Sequence, residues 1–269
     1  MPSSVRRLCI LFAAALCAIS LCAAASLTAA VLTGYDLQLH HFAVSHLPAV
    51  LSACFCVLGA LVSLAFCVTV RVKKLSAAPS APVPVTFISA LVGFLLLFMF
   101  ILTIASAEGW MQRIRLALMA LSAFCFLIST QRTASVSPMR ALLSLAPIAF
   151  AFLAVMESYF DASMSMNAPL KSYYLMMYLS MALFFTAEAR VALDRIKMPA
   201  YCLFAGLCTV LAGAVGLSHI LFALRGYALP LTLPESVTAA AIAVYAALRL
   251  FSLQPSPEAP AKEADEENN

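Results

Sequence analysis

Six polar residues in the C-terminal half have the types and spacing to build a site: Glu157, Asp161, Asn167, Lys171, Tyr174 and His219. Glu157 and Asp161 are four residues apart, which puts two carboxylates on one helical face. Like charges so placed cost stability unless a cation or hydrogen-bond donors answer them. Lys171 follows ten residues after Asp161 and can fold back over the pair, with Asn167 and Pro169 shaping the turn. Tyr174 and Tyr178 share a face one helical turn apart. Acidic groups and phenols at a cavity mouth suit a cation or a polar solute. The plainer reading is a charge-satisfied loop that caps two helices.

His219 is the one imidazole inside an apolar span. The simplest role for it is a hydrogen bond to a neighbouring helix. Ser218 beside it does not make a nucleophile–base pair, because adjacent helical residues point apart. Asp36, His40, His41 and His46 form the best metal-binding pattern in the chain, with Asp36 and His40 at helical ligand spacing. The pattern is weak, and an ordinary interfacial loop explains it. No resident metal or cofactor is expected. Glu188 has no cation at helical contact distance on its own segment. A carboxylate near the membrane interface seeks a partner on another helix, and Arg249 is the first choice, with Arg140 second.

Small residues recur at Gly206, Thr209, Gly213 and Gly216, a stripe along one helical face. Such a stripe lets helix backbones approach closely, within the chain or between subunits of a homo- or hetero-oligomer. The nine cysteines lie within or at the edges of apolar segments, contain no C-x-x-C pair, and read as small packing residues.

The elements that must position these groups follow from composition. Apolar residues make up 64% of the 269 positions and charged residues 10%. No soluble core of this size hides that much apolar surface, so the solvent is a lipid bilayer. The net charge of +4 is scattered between apolar segments, which excludes a nucleic-acid-binding face. Eight apolar segments are expected to cross the membrane, at 8–33, 47–70, 83–107, 111–130, 139–157, 170–189, 199–224 and 232–251. The fourth, with Arg113 and Arg115 at its start, and the eighth, with Glu235 and Arg249 near its ends and Pro230 and Pro234 at its entry, are shorter and less clearly spanning. Pro147 is the one proline deep in a segment. The fold class is an all-α polytopic bundle, a single transmembrane domain over 1–251.

Lys and Arg set the expected orientation. With the N-terminus cytoplasmic, the inner side collects Arg6, Arg7, Arg71, Lys73, Lys74, Arg132, Arg140, Arg190, Arg195, Lys197, Arg249 and Lys262. The outer side keeps only Arg113, Arg115, Lys171 and Arg225. Both termini are therefore expected in the cytoplasm. Residues 252–269 read as a disordered acidic tail. The first segment resembles a signal peptide at Val5-Arg6-Arg7, but its apolar run continues to Thr33, which favours an uncleaved signal-anchor. Two four-helix halves related by duplication find no residue-level support.

The strings MESYFDASMSMNAPLK (Met156–Lys171) and FFTAEARVALDRIKMPAY (Phe184–Tyr201) resemble an uncharacterised family of multi-pass membrane proteins from anaerobic Gram-positive bacteria. The resemblance implies a bacterial cell-membrane setting. It implies no activity and supplies no functional residues.

Three functions fit these features. The first is a non-catalytic sensor, accessory subunit or small-molecule-binding module. The second is a facilitator of a neutral or amphipathic solute. The third is a lipid-modifying enzyme, which needs converging His, Asp or Glu side chains near one leaflet.

Overall fold

In the computed structural model the residues described are 3–36, 40–42, 46–73, 75–76, 82–105, 109–129, 142–165, 167–193, 197–226 and 231–255. The expected acidic tail lies outside them beyond Pro255, as does Arg140. Among the described residues the chain forms eight long helices: α1 (Ser3–Gly34), α2 (Leu47–Lys73), α3 (Val83–Ile104), α4 (Trp110–Ile128), α5 (Leu145–Phe160), α6 (Pro169–Ala192), α7 (Met198–Leu224) and α8 (Leu233–Phe251). Lipid leaves a spanning segment no partner for its amides except its own carbonyls, which is why each apolar run becomes a helix.

Helix ends carry the expected punctuation. Proline opens α3, α6, α7 and α8 within the first two positions, where a missing N–H costs nothing. Thr232 and Glu235 form a reciprocal capping box at the start of α8. Gly109 precedes α4 at φ 88°, a conformation that favours glycine.

Six helices, α1, α2, α3, α4, α7 and α8, are long and apolar enough to cross a membrane. The two that fall short are not the two the sequence pointed to. α5 has 16 residues, because it begins at Leu145 rather than near 139. That start also moves Pro147 into the first turn, so it is not a mid-helix proline. α6 has 24 residues but carries Lys171, Glu188 and Arg190.

The packing is a closed ring with an appended pair. Each helix from α3 to α8 packs on the next, and α8 returns to α3. α1 packs on α2, α7 and α8, and α2 packs on α7. The small-residue stripe of α7 explains its central position. A side chain at Gly206 would meet Ser63 of α2 and Leu16 of α1, and one at Gly213 would meet Ser20 of α1. At Gly216 it would meet the backbone of α8, Ala240 N at 2.7 Å and Ser236 O at 2.8 Å. Thr209 is buried between them and donates to the Ala205 carbonyl. The stripe is thus filled from within the chain. Outward, α2, α3 and α4 expose large apolar side chains such as Leu61, Phe87, Phe94 and Phe124, as lipid-facing helices do.

Candidate functional site

The polar residues of the ring gather at its two ends. One end, here the rim face, is where α4, α6 and α8 begin and α5 ends. Arg115 of α4 is its centre. Its Nη1 lies 2.9 Å from Glu157 Oε2 of α5, and its Nη2 lies 2.5 Å from Glu235 Oε1 of α8. Three helices are thereby tied through one guanidinium, whose planar fork suits two carboxylates at once. The Glu235 carboxylate is fully engaged, since Oε2 also accepts from the Thr232 amide and hydroxyl, both at 2.9 Å. Glu157 Oε1 has no hydrogen-bond partner among the described residues.

The expected roles of Lys171 and Asp161 need correction. Lys171 does not answer Glu157. Its side chain is 2% exposed, and its ammonium donates to the carbonyl oxygens of Asp161 (2.6 Å) and Met164 (3.2 Å). The turn between α5 and α6 presents carbonyls closer than any carboxylate, so they take the ammonium. Asp161 does not share a helical face with Glu157 either. α5 ends at Phe160, and Asp161 is extended at ψ 111°, with Oδ1 accepting from the Ser163 amide at 2.9 Å. The hydrogen bonds from Ser163 hold the Asp161 carboxyl below its ordinary range. Asn167 is exposed in the same turn and does not line the cavity described next.

A partly open cavity of about 480 Å³ sits at the rim face. Arg115, Glu157, Asp161, Lys171, Tyr178 and Glu235 supply its main polar walls, and Met111, Phe160, Met164 and Tyr174 are among its apolar ones. It lies among α4, α5, α6 and α8, and no residue of α7 lines it. His219 is therefore behind the wall. The Tyr174 hydroxyl lies 2.7 Å from His219 Nε2, and His219 Nδ1 lies 2.9 Å from the Val215 carbonyl. A carbonyl only accepts, so Nδ1 carries the proton and Nε2 accepts from Tyr174. His219 is buried and bonded across helices, and Tyr174 turns its hydroxyl toward it. Ser218 does reach His219, at 3.3 Å from Nδ1, contrary to the expected divergence. Its hydroxyl bends back to Val215 O, the acceptor His219 also uses. Both ring nitrogens are engaged, which leaves no base for Ser218.

At the opposite end Arg249 of α8 meets Glu188 of α6. Nε lies 2.7 Å from Oε1 and Nη2 3.1 Å from Oε2, and the Tyr201 hydroxyl of α7 donates to Oε1 at 2.5 Å. The two polar clusters are separated along α8 by fourteen residues, from Glu235 to Arg249, about 21 Å at helical rise. Between them the ring is filled by aromatic contacts: Phe126 on Phe185 and Tyr245, and Phe184 on Tyr245 and Tyr201.

The histidines of the first loop do not converge. Tyr35–Asp36 pairs antiparallel with His41–Phe42, so Asp36 and His40 lie in a hairpin rather than on a helix face. Burial raises the Tyr35 phenol above its ordinary range. His40 adopts φ 54° with Nδ1 at 3.4 Å from the Tyr35 hydroxyl, while His41 is exposed. His46 Nε2 lies 3.0 Å from Thr33 Oγ1. No group of three or more metal-ligating side chains comes together among the described residues.

Arg115 and Glu235 are the site residues that the sequence reading left out. The signal for Glu235 is the T-L-P-E capping pattern at 232–235. For Arg115 it is a cation five residues inside an apolar helix, which requires a partner.

The fold and its partly buried ion pairs define a polytopic all-helical membrane protein. No known family, curated protein or solved structure matches the chain.

Proposed function

We propose that this chain is a non-catalytic membrane module that binds a small polar solute in the rim cavity, as a sensor or accessory subunit of a bacterial cell membrane. The observation that carries the reading is the cavity itself. It has the volume of a small-molecule site, about 300–1,000 Å³, and its walls hold ionised side chains fixed by their own partners. Preorganised polar groups in an otherwise apolar wall set ligand orientation at little cost on binding. With both termini cytoplasmic, the cavity faces outward.

A second reading, a facilitator, draws on the closed ring of α3 to α8. Below the cavity that ring is filled by Phe126, Phe184, Phe185 and Tyr245 and locked by Glu188 and Arg249. Passage would require these groups to part, so binding is the reading the packing favours.

The test is a thermal-unfolding screen of the purified chain in nanodiscs against a library of polar solutes. A ligand of the cavity raises the melting temperature in a concentration-dependent way. Ser158→Trp, which fills the cavity from α5, removes that shift. Solutes that stabilise wild type and Ser158→Trp equally would place binding elsewhere.

A further inference from the structure

We infer that the rim cavity selects organic monocations: an ammonium group held at Glu157, with an apolar body against Tyr174, Tyr178 and Phe160. The inference rests on the proposal that the cavity binds a solute, and adds the charge class of that solute.

The ionisable lining comprises Glu157, Asp161 and Glu235 against Arg115 and Lys171, an excess of one negative charge. Neither cation is available to an anion. Lys171 is turned into the carbonyls of the 161–164 turn. Arg115 lies between two carboxylates. An incoming anion would have to displace one of them and then face the other. The acceptor side is different. Glu235 has spent both oxygens on Arg115 and Thr232, whereas Glu157 keeps Oε1 open. The Tyr178 hydroxyl is likewise without a hydrogen-bond partner among the described residues.

The rest of the wall suits the same ligand. Aromatic faces attract cations through their quadrupoles, and methionine sulfur adapts to irregular apolar shapes. Tyr174 presents its ring, because its hydroxyl is committed to His219. An inorganic cation is a poorer fit, since it needs several oxygens converging at about 2–2.5 Å. The open acceptors here surround a space of about 480 Å³. The ammonium can belong to a free amine or to a lipid headgroup.

The experiment uses three probes of one shape and different charge: 2-phenylethylammonium, 2-phenylethanol and 3-phenylpropanoate. Binding to the full chain is measured by calorimetry in phosphatidylglycerol nanodiscs, with empty nanodiscs subtracted. The ammonium is expected to bind at least about tenfold more tightly than the alcohol, and the carboxylate more weakly than both. Glu157→Gln keeps a hydrogen bond for Arg115 and should erase the preference for the cation, and Ser158→Trp should abolish binding of all three. The ranking on wild type stands as a test even if a variant fails to fold. Alcohol or carboxylate binding as tight as that of the ammonium, and lost in Ser158→Trp, overturns the charge class and leaves the cavity as a binding site. Absence of saturable binding by every probe overturns both. Within the supporting outcome, competition from added phosphatidylethanolamine assigns the ammonium to a headgroup, and lack of competition assigns it to a free amine.

Discussion

Arg249 grips Glu188 with two nearly parallel hydrogen bonds, Nε to Oε1 at 2.7 Å and Nη2 to Oε2 at 3.1 Å. The pair joins α8 to α6 at the end of the ring opposite the cavity, and Tyr201 of α7 completes it. Both side chains are largely buried, so neither charge has water to fall back on.

Removing one partner leaves the other charge buried and unpaired. Glu188→Gln or Arg249→Met should each cost about 3 kcal/mol or more, whereas Glu188→Met with Arg249→Met together should recover most of that loss. Thermal unfolding in detergent measures all three. A double variant no more stable than the worse single variant would show that the pair is not the unit that matters.

Gly216 and Gly206 make a contrasting pair of tests. A Cβ at Gly216 meets α8 backbone, which cannot rotate away, while one at Gly206 meets chiefly the Ser63 side chain. Gly216→Ala should therefore push α7 from α8 and cost about 1–3 kcal/mol, and Gly206→Ala distinctly less. Equal costs, read from unfolding midpoints, would mean the α7–α8 approach is looser than the structure has it.

Tyr174→Phe removes the donor to His219 Nε2 and leaves a buried acceptor unpaired. The expected loss is about 1–3 kcal/mol. Adding His219→Leu should restore part of it, because the orphaned nitrogen goes too. A double-mutant cycle on melting temperature gives the coupling, and a value near zero would count against the bond.

Lys171→Met strands the carbonyls of Asp161 and Met164. Amide hydrogen exchange across residues 161–168 should speed up, with α3 and α4 unaffected. Uniform acceleration over the whole chain would mean that Lys171 supports the global fold rather than this turn.

Orientation is testable by reporter fusion. Fusions after Lys74, after Gln131 and at Asn269 should all report the cytoplasm. A signal from the opposite side at any of the three would reverse the expected topology, and with it the side on which the cavity opens.

The helices, and the need of certain charges for partners, are legible in the order of the amino acids alone. Twenty-residue apolar runs have one stable backbone solution in lipid, so segments such as 83–107 and 199–224 read directly as helices, α3 and α7. Glu188 has no cation at helical contact distance on its own helix, so its partner had to come from another one, and Arg249 near the end of α8 meets that need. The tertiary structure decided which charges meet at the rim. Lys171 is the nearest downstream cation to Glu157 in the chain, but the carbonyls of the intervening turn reach that ammonium first. Arg115 and Glu235 lie far from Glu157 in the chain and meet it only because the α3–α8 ring closes. Where α5 stops was also a tertiary matter. One residue's difference in helix end turns Asp161 off the face it would share with Glu157, and no local propensity fixes an end that closely. The cavity follows from the same cause, since it is the space that four helix ends leave when one arginine ties three of them together.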